Sequence, residues 1–420
     1  DLQINDLIMT NKYKNIFHTF ALFALIFFLL HSKILSNFVW TFTELFMDFK
    51  GPINWLECHN LGFNLITLEN VDCGLDKKIG QFNYGYAFLN IPYNDFLGIF
   101  YRTYLPWLLI FLFVFSSVLI LNPKDKLETL LLYLALLNPS TLLLLERMQL
   151  DCLFYLAIIF AVYNRYYFIH WFLGIYFALL KFYPIAILIS IFVEKKDRNL
   201  KSIFFIILFL SLVFFSYLYI NKEYYSFMLN NMLPGKAGYH FLYSLNSLPK
   251  ILHYIFAINY QILLIIFYVL FTFLVVKVCK KLGSNKDFIY NELYSQKSKL
   301  YLIAGYFNLF LFIIVSSYAY KEVYLILSLP FILSIRKKYN NKIIDILIYI
   351  FIIRYIFLFL YAYINVHDGI TFINGERIFS TKFLIVISLK ALFDFFLISF
   401  ITAILYLKTK FYIHDKISND

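Results

Sequence analysis

The sequence predicts an all-α protein, a polytopic transmembrane helix bundle with a long loop after its first span. Three observations predict it. The 420-residue chain is 62% hydrophobic, 22% aromatic and only 15% charged, whereas a soluble domain needs far more charge on its surface. The apolar residues gather into runs close to the roughly twenty that a helix needs to cross the hydrocarbon core. Those runs are too long for barrel strands, and only helices and closed barrels satisfy their backbone in lipid.

The first span is 16–35, followed by no small-residue cleavage site, so it reads as a retained helix and not a removed signal peptide. Segment 37–102 comes next and is the one long, mostly polar stretch. It carries Asp48, Glu57, Glu69, Asp72, Asp76 and Asp95 together with Cys58 and Cys73. The remaining spans fill 104–407: 104–121, 127–145, 150–163, 166–193, 203–220, 255–278, 300–318, 323–335, 343–364 and 383–407. Run 166–193 is long and broken at Lys181-Phe-Tyr-Pro184, and Pro184 disfavours helical geometry at Tyr183. Read as a hairpin of two short helices, it puts the basic clusters at 195–201, 277–299, 336–342 and 408–416 on one side with the N-terminus. Basic residues gather in cytoplasmic loops. Both termini are therefore expected in the cytoplasm, with 37–102 outside. The whole of 1–420 is then one integral membrane domain of about 11–12 spans.

The net charge of +12 follows from the same rule, and no nucleic acid is expected as a partner; membrane lipids are. The four cysteines form no Cys-x-x-Cys spacing, so no metal site or cofactor is expected. Cys58 and Cys73 share the outer loop, where oxidation can occur. A bond between them would brace the loop; two free thiols fit the sequence equally well. No internal repeat of the transporter kind is visible.

Ionisable residues in or at the rim of apolar spans are costly and mark function by default. Here they are Glu146, Arg147, Asp151, Lys181, Lys321, Glu322, Arg354, Lys390 and Asp394. Lys390 and Asp394 are one helical turn apart and are expected to neutralise each other. Arg354 faces no evident partner in sequence, so an ion pair and a ligand role both stay open. Lys321 and Glu322 are expected in a very short outer turn. By the hairpin topology Asp48, Glu146, Arg147, Asp151, Lys181 and Lys321 all share the outer side. Any one of them alone reads equally well as a structural charge.

These residues carry a resemblance. Leu145-Glu-Arg-Met-Gln-Leu-Asp151, about thirty apolar residues, Lys181-Phe-Tyr-Pro184 and a basic loop resemble glycosyltransferase family 87 of the GT-C superfamily. These polytopic bacterial enzymes are related to polyprenyl-phosphate-mannose-dependent mannosyltransferases. The family pattern has Glu-Arg-Gly-Asn-x-Asp, so Met148 and Gln149 stand here for Gly and Asn. Tyr318-Ala-Tyr-Lys321 with Tyr324, Leu325 and Pro330 is similar to a later family element, where Lys321 replaces an Arg and gives up bidentate phosphate contact. Asp48 through Gly62-Phe-Asn-Leu-Ile is similar to the family's loop acid and following Gly-x-x-x-Tyr, with Ile66 at the aromatic position. The likeness covers roughly residues 16–335.

The resemblance implies an inverting transferase of the bacterial inner membrane. It would move a mannose-like hexose from a polyprenyl-phosphate donor to a lipid or glycan acceptor on the outer face. It implies Asp48 as general base, with Asp72 and Asp76 its rivals. Arg147, Lys181 and Lys321 would contact the donor phosphate, while Glu146, Asp151 and Tyr183 would orient those cations or bind sugar hydroxyls. Two further readings share the bundle: an O-antigen polymerase or ligase, and a lipid-linked sugar transporter or flippase. A structural membrane subunit is a third, for which the outer charges would tolerate substitution.

Overall fold

The computed structural model describes residues 2–32, 34–38, 45–65, 85–164, 166–181, 183–189, 200–231, 242–283, 295–313, 317–339, 341–373 and 376–419. Its helices are α1 (Leu2–His31), α2 (Met47–Asn60), α3 (Asp95–Thr103), α4 (Leu105–Leu121), α5 (Lys126–Leu137), α6 (Pro139–Arg147), α7 (Asp151–Tyr163) and α8 (Tyr167–Leu180). There follow α9 (Leu200–Ile220), α10 (Lys222–Asn231), α11 (Ser247–Phe256), α12 (Tyr260–Gly283), α13 (Gln296–Ile313), α14 (Leu329–Tyr339), α15 (Lys342–His367) and α16 (Thr381–Asn419). The fold is helical as expected, with two short antiparallel pairs beside the helices. β1 (Leu242–Tyr243) pairs with β2 (Ser317–Tyr318), and β3 (Ile370–Ile373) with β4 (Glu376–Phe379).

Within α1, α12, α15 and α16 lie four helices long and apolar enough to cross a bilayer, or up to six spans if the bent pairs α3–α4 and α5–α6 each count as one. The expected 11–12 spans are thus met only in coarser form, because several apolar runs are broken. Run 127–145 is two helices meeting at 46°. Pro139 forces Asn138 into extended backbone, and the Asn138 side chain caps α6 by accepting from the Thr141 N–H at 3.1 Å. Run 166–193 breaks where expected. α8 ends at Leu180, Lys181 is extended, and a 3₁₀ turn, Tyr183–Ile189, returns along α8. Gly174 and Leu188, equidistant from Lys181, touch so closely that a Cβ on Gly174 would meet the Leu188 side chain at 2.5 Å. That contact makes the segment a hairpin.

Large apolar side chains face outward in continuous bands: Phe17, Phe20 and Phe28 on α1, Phe204, Phe209 and Phe215 on α9, and Ile265, Val269 and Phe273 on α12. Water does not tolerate such a surface and lipid does; the architecture is that of a multi-pass α-helical membrane protein. At its centre lies another 3₁₀ segment, Ala319–Ser328, which runs directly into α14 and packs against α4, α6, α7 and α13. Residues 321–328 of it are all buried. Lys321 and Glu322, expected in an outer turn, are therefore interior residues.

Candidate functional site

Asp48 stands in the first turn of α2, where the helix dipole favours a carboxylate. The helix is fixed at both ends. Before it, Phe46 adopts a left-handed φ of 64° and donates its N–H to the Glu146 carbonyl at 2.8 Å. Pro52 has no N–H to give to the carbonyl of Asp48, which lies one turn earlier. After it, Gly62 at φ 87° closes a Schellman motif: Gly62 N–H donates to His59 at 3.0 Å and Phe63 N–H to Cys58 at 3.1 Å. Glu57 pairs with Arg102 of α3, whose guanidinium also donates to Asn54 at 3.1 Å. Cys58 is disulfide-bonded, while Cys152 and Cys279 are free. Cys73, Asp72 and Asp76 lie outside the described residues.

The turn between α6 and α7 supplies the partners of Asp48. α6 also ends in a Schellman motif, with Met148 N–H donating to Leu145 and Gln149 N–H to Leu144, each at 3.2 Å. Met148 occupies its left-handed position at φ 50°, the place glycine favours. The turn therefore keeps a glycine-type shape without a glycine, at a cost of about 1–2 kcal/mol. That shape directs Gln149 Nε2 to donate to Asp48 Oδ2 and brings Arg147 Nη1 to 3.7 Å from the same oxygen. Glu146, from the same turn, is buried.

Asp151 opens α7, and its side chain is 0% exposed. Its Oδ1 accepts from the Tyr324 hydroxyl at 2.9 Å, and its Oδ2 lies 3.7 Å from Lys181 Nζ. Lys321, also buried, sits within the fields of Asp151 and Lys181. Lys181 in turn acts on Asp48, so the two halves form one cluster. The Tyr183 side chain lies outside the described residues. Asp48, in a helix outside the candidate spans, keeps 26% of its side chain exposed. Burial raises its carboxyl above the ordinary value of 3.8, against the pull of Arg147, the Gln149 hydrogen bond and Lys181.

The structure thus brings together Asp48, Arg147, Asp151, Lys181 and Lys321, with Glu146 buried in the same turn. It also adds two residues that sequence reasoning missed. Gln149 stood inside the motif only as a departure from the family pattern. Tyr324 follows Lys321 by three residues, which eclipses the two on a 3₁₀ helix and would leave them about 60° apart on an α-helix. Arg354 has partners after all, in Asp394 at 2.7 Å and in Glu322. Lys390 meets Asp394 at 2.8 Å as expected, and also Glu322 at 2.7 Å. Trp55 is buried. Among the described residues no three His, Cys, Asp or Glu side chains cluster as a metal site requires.

Chemically, a part-exposed carboxylate whose pKa is raised by burial can take a proton from a substrate, and three cations behind it can hold an anion. No family model, curated protein or solved structure matches this chain.

Proposed function

We propose that this protein is a membrane glycosyltransferase that moves a hexose from a polyprenyl-phosphate donor to a lipid or glycan acceptor at the outer face of the bilayer. The observation that carries this reading is the company Asp48 keeps. A reachable carboxylate shares one cluster with Arg147, Lys181 and Lys321, which matches the two charges that a glycosyl transfer must manage.

In the proposed reaction the acceptor hydroxyl gives its proton to Asp48 as its oxygen attacks the anomeric carbon. The bond from that carbon to the phosphate oxygen breaks, and the electron pair leaves with the polyprenyl phosphate. Attack opposite the leaving group inverts the anomeric configuration. Arg147, Lys181 and Lys321 stabilise the charge growing on the phosphate. Asp151 orients Lys181 and, through Tyr324, the segment that bears Lys321. Gln149 holds Asp48 in register with Arg147. A lipid-borne donor would also account for building such a site into a membrane helix bundle.

The test is bond formation by purified protein in vesicles. Supplied with a radiolabelled polyprenyl-phosphate hexose and an acceptor extract, a transferase moves label from the donor lipid into a new product. A flippase moves intact donor across the membrane and makes none, and that result would replace this reading.

A further inference from the structure

Glu322 is held from three elements at once. Its Oε1 accepts from Lys390 Nζ of α16 at 2.7 Å. Its Oε2 pairs with Arg354 of α15 and accepts from the Ser140 hydroxyl of α6 at 3.3 Å. Arg354 and Lys390 close the ring on Asp394 at 2.7 and 2.8 Å. All four charged side chains are at most 3% exposed. Two cations match two anions, so the ring is neutral, the condition under which charges persist in a dry interior. Burying four charges is nevertheless an expensive way to join helices that apolar packing would join as well. The ring therefore calls for a reason other than stability.

The reason lies one residue away. Lys321 and Tyr324 flank Glu322 on the same 3₁₀ segment, and Tyr324 donates to Asp151 at 2.9 Å. Runs of 3₁₀ helix seldom exceed three or four residues, and this one has ten. Relaxation to α spacing would change the turn from 120° to 100° per residue, a relative swing of about 60° between Lys321 and Tyr324. The two side chains would then no longer be eclipsed where the segment meets Asp151.

We propose that the Glu322–Arg354–Lys390–Asp394 ring is the positioning device of the site: by pinning Glu322 it fixes the rotation of the 3₁₀ segment and so holds Lys321 and Tyr324 together against Asp151. Arg354, Lys390 and Asp394 are then positioning residues that act through Glu322 and touch no substrate. Their purpose rests on the transferase reading, but the mechanical claim is testable without it.

The test loosens the ring without stranding a charge. Glu322→Gln with Lys390→Met removes one anion and one cation and leaves Arg354 paired with Asp394. In that background and in the wild-type background, Lys321→Cys is labelled with a membrane-permeant thiol reagent, and Gln149→Cys on the facing turn serves as control. The expected result is a rise of about fivefold or more in labelling at position 321, as local opening there becomes easier, with little change at 149. Equal rises at both positions mean general loosening and overturn the proposal, as does no change at either. In the transferase assay the paired substitution should raise donor KM about as much as Lys321→Gln does, and combining the two should add little. Additive effects would also overturn it. Absence of transferase activity in the wild type would sink the functional reading alone, with the labelling result still deciding the ring.

Discussion

In the proposed reaction Asp48 sets the chemistry and Met148 the geometry of the turn that meets it. Burial raises the Asp48 carboxyl, and Arg147, Gln149 and Lys181 hold it down. A base must be ionised to work, so activity is lost as pH falls through this raised pKa. The acid limb of the pH–rate profile should therefore lie above 3.8. Arg147→Gln removes a downward pull and should move that limb to higher pH; a limb that stays in place would detach Arg147 from the base. The stability consequence has the opposite sign: the ionised form is the disfavoured one, so folding stability declines as pH rises through the same range. Met148 makes a second prediction. Its left-handed backbone suits glycine, so Met148→Gly should keep activity. Met148→Val, β-branched at φ 50°, should lose most of it through a cost of at least about 1–2 kcal/mol in the turn that aims Gln149. Thermal stability and activity measured together check both. Asp48, Arg147, Asp151, Lys181 and Lys321 were legible as ionisable groups in costly places. Gln149 and Tyr324 were not, because neutral side chains send no such signal and their partners are 101 and 173 residues away in sequence.

At the scale of elements, the site depends on breaks. The 46° bend at Asn138–Pro139, the extended Lys181 and the 3₁₀ stretch Ala319–Ser328 each interrupt an apolar run that would otherwise span. Pro184 made the Lys181 break readable. The 3₁₀ stretch was not readable, since the burial and ion pairing of Glu322 arise from α15 and α16 and leave no local pattern. Asp394 was seen only with Lys390, because the i,i+4 rule reaches no further than one turn. Gly85 is tightly seated: its N–H donates to the Leu180 carbonyl at 3.0 Å, and a Cβ there would lie 1.7 Å from the Leu179 carbonyl oxygen. Gly85→Ala should therefore push the loop off the end of α8 beside Lys181. Activity should fall at least tenfold, equivalent to about 1.4 kcal/mol in the barrier. Retained activity would mean that the loop does not need this seat.

For the whole molecule, composition alone announced a helical membrane protein, and the outward bands of Phe, Ile and Val agree. The number of spans was less legible, because run length does not reveal where a helix bends or tightens to 3₁₀. The hairpin at Lys181 bears on topology: under the proposed reading it would put both termini on one side of the bilayer. Asn11→Cys and Lys410→Cys should both resist a membrane-impermeant maleimide in intact cells and react after permeabilisation. Labelling of one alone in intact cells would contradict the shared side.

The central claim is that Asp48 takes the proton from the acceptor. Wild type, Asp48→Asn and Asp48→Glu, each matched for expression and insertion, are given a radiolabelled polyprenyl-phosphate hexose. The account predicts labelled product from wild type, a loss of about a hundredfold or more with Asn, and a partial return with Glu, which restores the carboxylate at a longer reach. Undiminished product from Asp48→Asn would contradict it and send the search for the base to the other acids of segment 37–102.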